Sequence, residues 1–194
     1  MKVFQVKLAL STIFLCFAQA LIAQGPPPAM APDYLPDKWE EYTFADHNFR
    51  VRMPRKPVVT SSGDNVSRTT SYKNTSFIEF AVEVMEYAPN ADLEKVPDIL
   101  DKLQAAGVAA SAHLKLKVIK SADETIGGRT VRFFHAEAEV GGEVIRTRIF
   151  VVKNRIYLIY GSVKKAAPHG INYENDFEKP VMAFLDSFQI TEKK

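Results

Sequence analysis

The stretch that decides the fold is RTVRFFHAEAEVGGEVIRTRIFVVKNRIYLIYGS, residues 129–162. Apolar and polar residues alternate along most of it, a pattern that is typical of half-buried β-strands. Gly141-Gly142 interrupts the alternation, and a pair of glycines is a frequent two-residue hairpin turn. A second interruption falls at residues 153–155. The stretch therefore predicts three consecutive antiparallel strands.

A two-residue turn at Gly141-Gly142 would fix which residues of the first two strands face each other. On one face it pairs apolar residues such as Phe134 with Ile149, and we predict that this face is the core. On the other face it pairs Glu137 with Arg146, His135 with Arg148, and Phe133 with Phe150. Tyr157 of the third strand joins this second face in either register that the next turn allows.

We call the second face the arginine–aromatic face; its residues are Phe133, His135, Glu137, Arg146, Arg148, Phe150 and Tyr157. The simpler interpretation is a solvated ladder whose cross-strand pairs contribute roughly 0.2–1 kcal/mol each. On that basis we expect Arg146→Ala to cost under about 1 kcal/mol. The alternative is a partner surface, because apolar rings flanked by arginines suit recognition of peptides or carboxylates. We favour the ladder.

The flanking segments predict an antiparallel sheet that carries helices. Residues 42–44 and 48–54 predict an N-terminal hairpin, 68–73 a polar edge strand, 76–87 a strong strand, and 113–119 another strand. Apolar residues at spacings of three and four predict helices over 92–110 and 176–188. Pro97 and Pro180 would lie in the first turn of each helix, where a missing N–H costs little. The fold class is therefore α+β.

The amino terminus indicates export. Lys2 and Lys7 precede an apolar run too short to span a bilayer and then small residues, as in a secretory signal peptide. Cleavage is plausible after Ala20 or Ala23, and we prefer Ala23. The predicted organisation is a signal peptide at 1–23, a proline-rich linker at 24–38, and one domain at 39–194. We expect a periplasmic or extracellular protein without a transmembrane segment.

Composition and motifs exclude several functions for the mature chain. Without the two lysines of the signal it has 23 basic and 23 acidic residues, so it lacks the basic footprint of a nucleic-acid binder. The only cysteine, Cys16, lies in the signal, which leaves no disulfide or thiol nucleophile. The histidines are scattered and no serine elbow is present, so we predict no catalytic residues, metal or cofactor. Asn65 and Asn74 begin glycosylation sequons, which matter only in a eukaryotic host.

Three motifs, HNFRVRMPRKP, TIGGRTVRFFHAEAEVGGEVIRTRIFVVKNRIYLIYGS and FLDSFQI, occur in an order that resembles the PsbP-like family, including its bacterial members of unknown function. The resemblance covers most of residues 40–190. It implies an α/β/α sandwich around an antiparallel sheet and a non-catalytic accessory or adaptor role. The expected partner is an unidentified envelope or extracellular protein. A competing hypothesis is a small-molecule carrier or cryptic hydrolase with a pocket between the sheet and the helix at 92–110. Its motivation is the abundance of aromatic residues on apolar strand faces, among them Phe80, Phe134 and Tyr160.

Overall fold

The computed structural model describes residues 36–63, 67–75, 78–164 and 177–191. Its strands are β1 (Glu40–Phe44), β2 (Phe49–Met53), β3 (Val58–Gly63), β4 (Ser67–Thr75), β5 (Glu79–Tyr87), β6 (Leu116–Ile126), β7 (Arg129–Ala138), β8 (Glu143–Val152), β9 (Arg155–Lys164) and β10 (Gln189–Ile190). Its helices are α1 (Ile99–Ala110) and α2 (Lys179–Ser187). The predicted signal peptide, nearly all of the predicted linker, and Asn65 lie outside the described residues and stay predictions.

Two antiparallel sheets organise the fold. The larger one has the strand order β3-β4-β5-β9-β8-β7-β6, and the smaller one has the order β1-β2-β10. Every strand pair in both sheets is antiparallel. The fold is therefore α+β with a mostly antiparallel sheet, as the sequence predicts.

The larger sheet is covered on both faces. On one face, α2 and the small sheet pack over a cluster that includes Phe80, Phe133, Phe150, Tyr157 and Ile159. On the other face, Leu103 of α1 packs in a cluster with Phe134, Ile149 and Tyr160. Because helices lie on both sides of the sheet, the predicted sandwich of helix, sheet and helix is confirmed.

The approach of α2 to the sheet depends on one glycine. A Cβ atom added at Gly161 of β9 would lie 2.7 Å from both γ-methyl carbons of Val181. The fully buried residues of α2 and its flanks, Phe177, Val181, Phe184 and Leu185, then fill the space beside the small sheet. The apolar period predicted for residues 176–188 is confirmed for its described part, although the α-helix itself begins only at Lys179.

The predicted register of the β7–β8 hairpin is wrong by two residues. His135 faces Arg146, Phe133 faces Arg148, and Glu137 faces Val144. The reason lies in the connection, because the N–H of Val140 donates to the carbonyl of Leu114 at 3.1 Å instead of pairing with β8. Residues 139–142 thus form a longer loop than the predicted two-residue turn. A shift of two residues leaves each side chain on its predicted face.

The structure differs from the sequence predictions in three further places. α1 begins at Ile99 because the N–H of Leu93 donates to the carbonyl of Lys153 at 2.7 Å, and Asp98 has a positive φ of 54°. β6 begins at Leu116, after a short 3-10 turn. The strand predicted at the sheet edge, β4, is not an edge strand, because the unpredicted strand β3 pairs with it.

Candidate functional site

Arg146 belongs to the predicted arginine–aromatic face, and the structure uses it to hold α2. Its Nη2 donates to Oε2 of Glu178 at 2.7 Å and its Nε to Oε1 at 3.2 Å, which makes a bidentate pair. Glu178 is the residue directly before α2. Only 7% of Arg146 is exposed, so the expectation of a solvated ion pair is wrong. Its Nη1 is buried and has no hydrogen-bond partner among the residues that the structure describes.

Arg148 makes a second connection to α2. Its Nη1 donates to Oδ1 of Asp186 in α2 at 2.7 Å, and its Nε donates to Oε2 of Glu124 in β6 at 2.9 Å. Like Arg146, it is buried, with 6% exposed. One side chain therefore links β8, the edge strand β6 and the helix above them.

The three aromatic residues of the same face are part of the core. Phe133, Phe150 and Tyr157 all lie in the cluster beneath α2 and the small sheet. The ring centroids of Phe150 and Phe188 are 5.1 Å apart. The Tyr157 hydroxyl donates to the carbonyl of His47 at 2.9 Å, and burial raises the pKa of Tyr157. In the described structure these rings face packed residues.

His135 and Glu137 are the partly accessible members of the arginine–aromatic face, and they are 3.6 Å apart between Nε2 and Oε1. Burial lowers the pKa of His135, and the nearby Arg146 lowers it further, which favours the neutral imidazole. Their neighbours in β6 are exposed lysines, because Lys120 faces His135 and Lys117 faces Glu137. The accessible part of the predicted surface therefore continues onto β6.

A β-bulge changes the surface of β6 at this point. The pairing with β7 shifts between Val118 and Lys120, so Ile119 is the extra residue of the bulge and is 46% exposed. Val140, in the neighbouring hairpin loop, is 47% exposed. We call the surface formed by Lys117, Ile119, Lys120 and Val140 the β6 surface. Its exposed residues are two apolar side chains and two lysines.

A buried polar network on the α1 side of the sheet was not predicted. Glu83 of β5 has no exposed side-chain surface, and its Oε1 lies 3.5 Å from Nζ of Lys73 and accepts a hydrogen bond of 3.3 Å from Tyr160. Burial raises the pKa of Glu83, although Lys73 opposes the shift. Its Oε2 is buried and lacks a hydrogen-bond partner within the described part of the chain. The alternation of Glu79, Ala81 and Glu83 indicates a shared face, but nothing in it reveals the burial.

A second unpredicted network joins the β1–β2 turn to the large sheet. His47 is buried, its Nδ1 is hydrogen-bonded to the Tyr72 hydroxyl, and its Nε2 lies 3.3 Å from Oε2 of Glu86. Burial lowers the pKa of His47 and raises that of Tyr72 to about 12, so both groups are neutral near pH 7. A phenol with so high a pKa is a poor nucleophile. The arrangement suits structural support.

Neither a metal centre nor a membrane-spanning helix occurs in the part of the chain that the structure describes. Acidic, histidine and cysteine side chains do not come together there in groups of three or more that could hold a metal ion. Neither described helix is long and apolar enough to cross a membrane.

A comparison with solved structures finds a protein with a similar fold. The solution structure of cyanobacterial PsbP from Synechocystis sp. aligns with a TM-score of 0.57 and 10% sequence identity, over 86% of this chain and 99% of that chain. The fold is PsbP-like. At this identity, the likeness concerns the fold alone.

Two bacterial proteins give weaker alignments. A crystal structure from Bacteroides thetaiotaomicron aligns with a TM-score of 0.42 and 9% identity, over 80% of this chain and 50% of that chain. A Pseudomonas aeruginosa protein described as a candidate regulator of unknown function has a TM-score of 0.42 and 10% identity, over 80% of this chain and 99% of that chain. By sequence alone, the chain matches no protein-family model and no curated protein.

Proposed function

We propose that this chain is an exported, non-catalytic accessory domain with a PsbP-like fold that binds a protein partner through its β6 surface. The amino-terminal sequence supports export, because charged, apolar and small residues follow one another as in a signal peptide. The expected partner is an envelope or extracellular protein. The proposed surface lies next to His135 and Glu137 of the predicted recognition face, which face Lys120 and Lys117 of the edge strand.

The use of the arginines supports a non-catalytic role. Arg146 is committed to Glu178, and Arg148 to Glu124 and Asp186, so these groups hold α2 against the sheet. Phe134 and Tyr160, two of the rings that motivate the competing hypothesis, lie in the packed cluster that contains Leu103 of α1. Phe80 lies on the opposite face of the sheet. These contacts favour the accessory role over the carrier or hydrolase.

The bulge at Ile119 is the observation that carries the proposal. A bulge inserts one residue, disrupts the ladder locally and re-aims a side chain. Here it leaves Ile119 about half exposed on β6, close in sequence to the exposed Lys117 and Lys120. An exposed apolar residue beside exposed lysines fits a partner surface that is apolar at its centre and acidic around it. Lys115, exposed just before β6, adds to the same charge.

The proposal is tested by purifying the tagged full chain from the native envelope and identifying the proteins that accompany it. We expect a stoichiometric partner with the wild type and its loss with Ile119→Glu. The introduced carboxylate would replace an apolar contact and would be repelled by the acidic surface proposed for the partner. Val58→Glu is the matched control, since Val58 is an exposed apolar residue on the other edge strand. A wild-type chain that always emerges without a partner contradicts the proposal. Equal loss with both variants contradicts the assigned surface.

A further inference from the structure

The edge strand β3 has an unusual combination of exposure and composition. All six of its residues are exposed, and Val58 and Val59 are 69% and 51% exposed. The strand has the sequence VVTSSG and carries no charge. Among the described residues, β3 ends the large sheet, with β4 on its one paired side. An edge strand presents backbone N–H and C=O groups that can pair with another strand.

β3 also lacks the features that usually prevent such pairing. Proteins protect edge strands with charged side chains, prolines and bulges. β6, at the opposite edge, has a bulge at Ile119 and exposed lysines at 117 and 120. β3 pairs with β4 through six consecutive residue pairs without a bulge. Among the described residues, the sheet therefore has one protected edge and one edge that is open to strand addition.

We propose that β3 pairs in antiparallel orientation with β3 of a second copy of this chain, around a two-fold axis that passes beside Thr60. The two seven-stranded sheets then form one continuous sheet. Thr60 faces its own equivalent, Val58 faces Ser62 of the partner subunit, and Val59 faces Ser61 of the partner subunit. This surface lies at the opposite edge from the β6 surface, so either proposal can fail without the other.

The composition of β3 selects a second copy as the occupant. A two-fold axis brings identical residues together, so any charge in the strand would meet its own sign, and like charges directly opposite each other are destabilising. β3 has none. Its register places a valine opposite a serine and a threonine opposite a threonine, and threonine pairs are favourable across strands.

Gly63 decides between the two nearest registers. A two-fold axis perpendicular to the sheet requires facing residues to lie on the same face, so the axis passes beside Thr60 or beside Ser61. The second choice would place Gly63 opposite Val59. Gly63 has φ of 135°, and a Cβ atom added there would lie 2.3 Å from the carbonyl oxygen of Ser67. This positive φ makes the last residue of β3 depart from the extended backbone that a further strand pairs with, which favours the axis at Thr60.

The test uses charge reversal at the axis, with molar mass measured by light scattering and sedimentation over a concentration series. We expect a wild-type dimer. Thr60→Lys alone and Thr60→Asp alone should each raise the dimer dissociation constant by at least about tenfold, because like charges then face each other. An equimolar mixture of the two variants should restore the dimer. Thr125→Lys, which changes an exposed threonine on β6, is the control and should remain dimeric.

A cysteine at the axis provides a second measurement. Facing residues of antiparallel strands have Cα atoms about 4.5–5.5 Å apart, a separation that a disulfide can span. The sequence after the predicted signal contains no cysteine, so Thr60→Cys introduces the only thiol. Oxidation should link Thr60→Cys into a covalent dimer and leave Thr125→Cys monomeric on a denaturing gel.

Three results would overturn the proposal. The first is a wild-type chain that stays monomeric at every concentration. This result overturns the proposal even if another segment of the same chain covers β3. The second is a dimer that both single-charge variants retain, which would place the interface elsewhere. The third is a failure of the mixed variants to associate when each alone is monomeric, because the two residues would then not face each other.

Discussion

The two edges of the large sheet differ in how they can bind another molecule. β6 has an irregular backbone and exposed lysines, so its ladder groups are poorly placed for strand pairing while its side chains form a mixed apolar and basic surface. β3 has a regular backbone and small uncharged side chains, so its backbone groups are the recognition element. The proposed partner and the proposed second copy would therefore use separate edges of one sheet.

The interior next to each edge differs as well. Near β6, arginines make the polar contacts, as in the pairs of Arg132 with Asp123 and of Arg148 with Glu124. Near β3, the polar contacts involve a buried carboxyl and a buried imidazole, because Glu83 contacts Ser71 and Lys73 of β4 and His47 contacts Tyr72 of β4. Burial shifts the pKa of His47 and of Glu83 near β3, and also that of His135 beside β6, so both sides are expected to respond to pH.

Removing the protection of β6 should have the largest effect. Deleting Ile119 makes Val118 and Lys120 consecutive in the ladder with β7, and Lys117→Thr with Lys120→Thr removes the charge. The variant then has two open edges, and edge-to-edge contacts that do not close generate open-ended assemblies. We expect large polymers in sedimentation experiments and an intermolecular β-sheet band in the infrared spectrum. A variant that remains a dimer would show that the bulge does not protect the edge.

Arg148→Ala should have the next largest effect, on stability. It removes a buried guanidinium that joins β6 and β8 to α2, but Glu124 and Asp186 are partly exposed and can be solvated again. We therefore expect a loss of about 2–3 kcal/mol in the free energy of unfolding, somewhat below the usual cost of breaking a fully buried pair. The measurement is urea denaturation.

Arg50→Ala is the matched control for Arg148→Ala. Arg50 pairs with Glu41 at 3.4 Å, and both side chains are more than two-fifths exposed. We expect it to cost under about 1 kcal/mol. Equal losses for the two arginines would contradict the buried, connecting role of Arg148. The buried pair with Glu178 likewise replaces the expectation that Arg146→Ala is nearly neutral.

The sequence predicts the strands that alternate clearly and the faces that they present. The period of two places Phe134 and Ile149 on one face and Arg146 and Arg148 on the other, and the structure confirms both faces. It could not predict β3, because VVTSSG has no apolar alternation and is exposed on both sides. That strand exists because β4 pairs with it, which is a tertiary cause.

The alternation of apolar and polar residues could not predict that the arginines of the candidate site are buried. Alternation shows that Arg146 and Arg148 share a face, but their partners Glu178 and Asp186 come from a helix more than 30 residues away. The register error has a similar origin, since the contact of Val140 with Leu114 lengthens the loop. Gly141 and Gly142 do have positive φ, as a turn requires, but within a longer connection. Each miss reflects a contact distant in sequence.

The pH response tests the buried network of His47, Tyr72 and Glu86. The folded pKa of His47 is lowered mainly by burial, so the unfolded chain takes up a proton first as the pH falls. Its contribution to stability is therefore complete above about pH 6.5 and is lost as the pH falls through that value. We expect the free energy of unfolding to decrease from about pH 7.5 to 5.5 in the wild type, and less steeply in His47→Gln.

His113→Gln is the control for this measurement, because His113 is an exposed histidine in the turn before β6. It should keep the wild-type slope. Identical slopes for the wild type and His47→Gln would show that the network of His47, Tyr72 and Glu86 does not control the pH response.

The smallest effect is expected at Ser61 of β3. Its hydroxyl lies 3.1 Å from that of Thr70, but the residue is exposed. Ser61→Ala should change the free energy of unfolding by less than about 0.5 kcal/mol, as most surface substitutions do. Thermal unfolding monitored by circular dichroism measures it. A larger loss would mean that side-chain contacts, rather than backbone pairing, hold β3 to the sheet.

Purification of three forms from the native envelope tests the account most directly, with both the accompanying protein and the molar mass measured for each. The forms are the wild type, Ile119→Glu on the β6 surface, and Thr60→Lys on β3. We predict a dimer with a partner for the wild type, a dimer without the partner for Ile119→Glu, and a monomer that keeps the partner for Thr60→Lys. Loss of partner and dimer together in either variant would contradict the assignment of separate functions to the two edges.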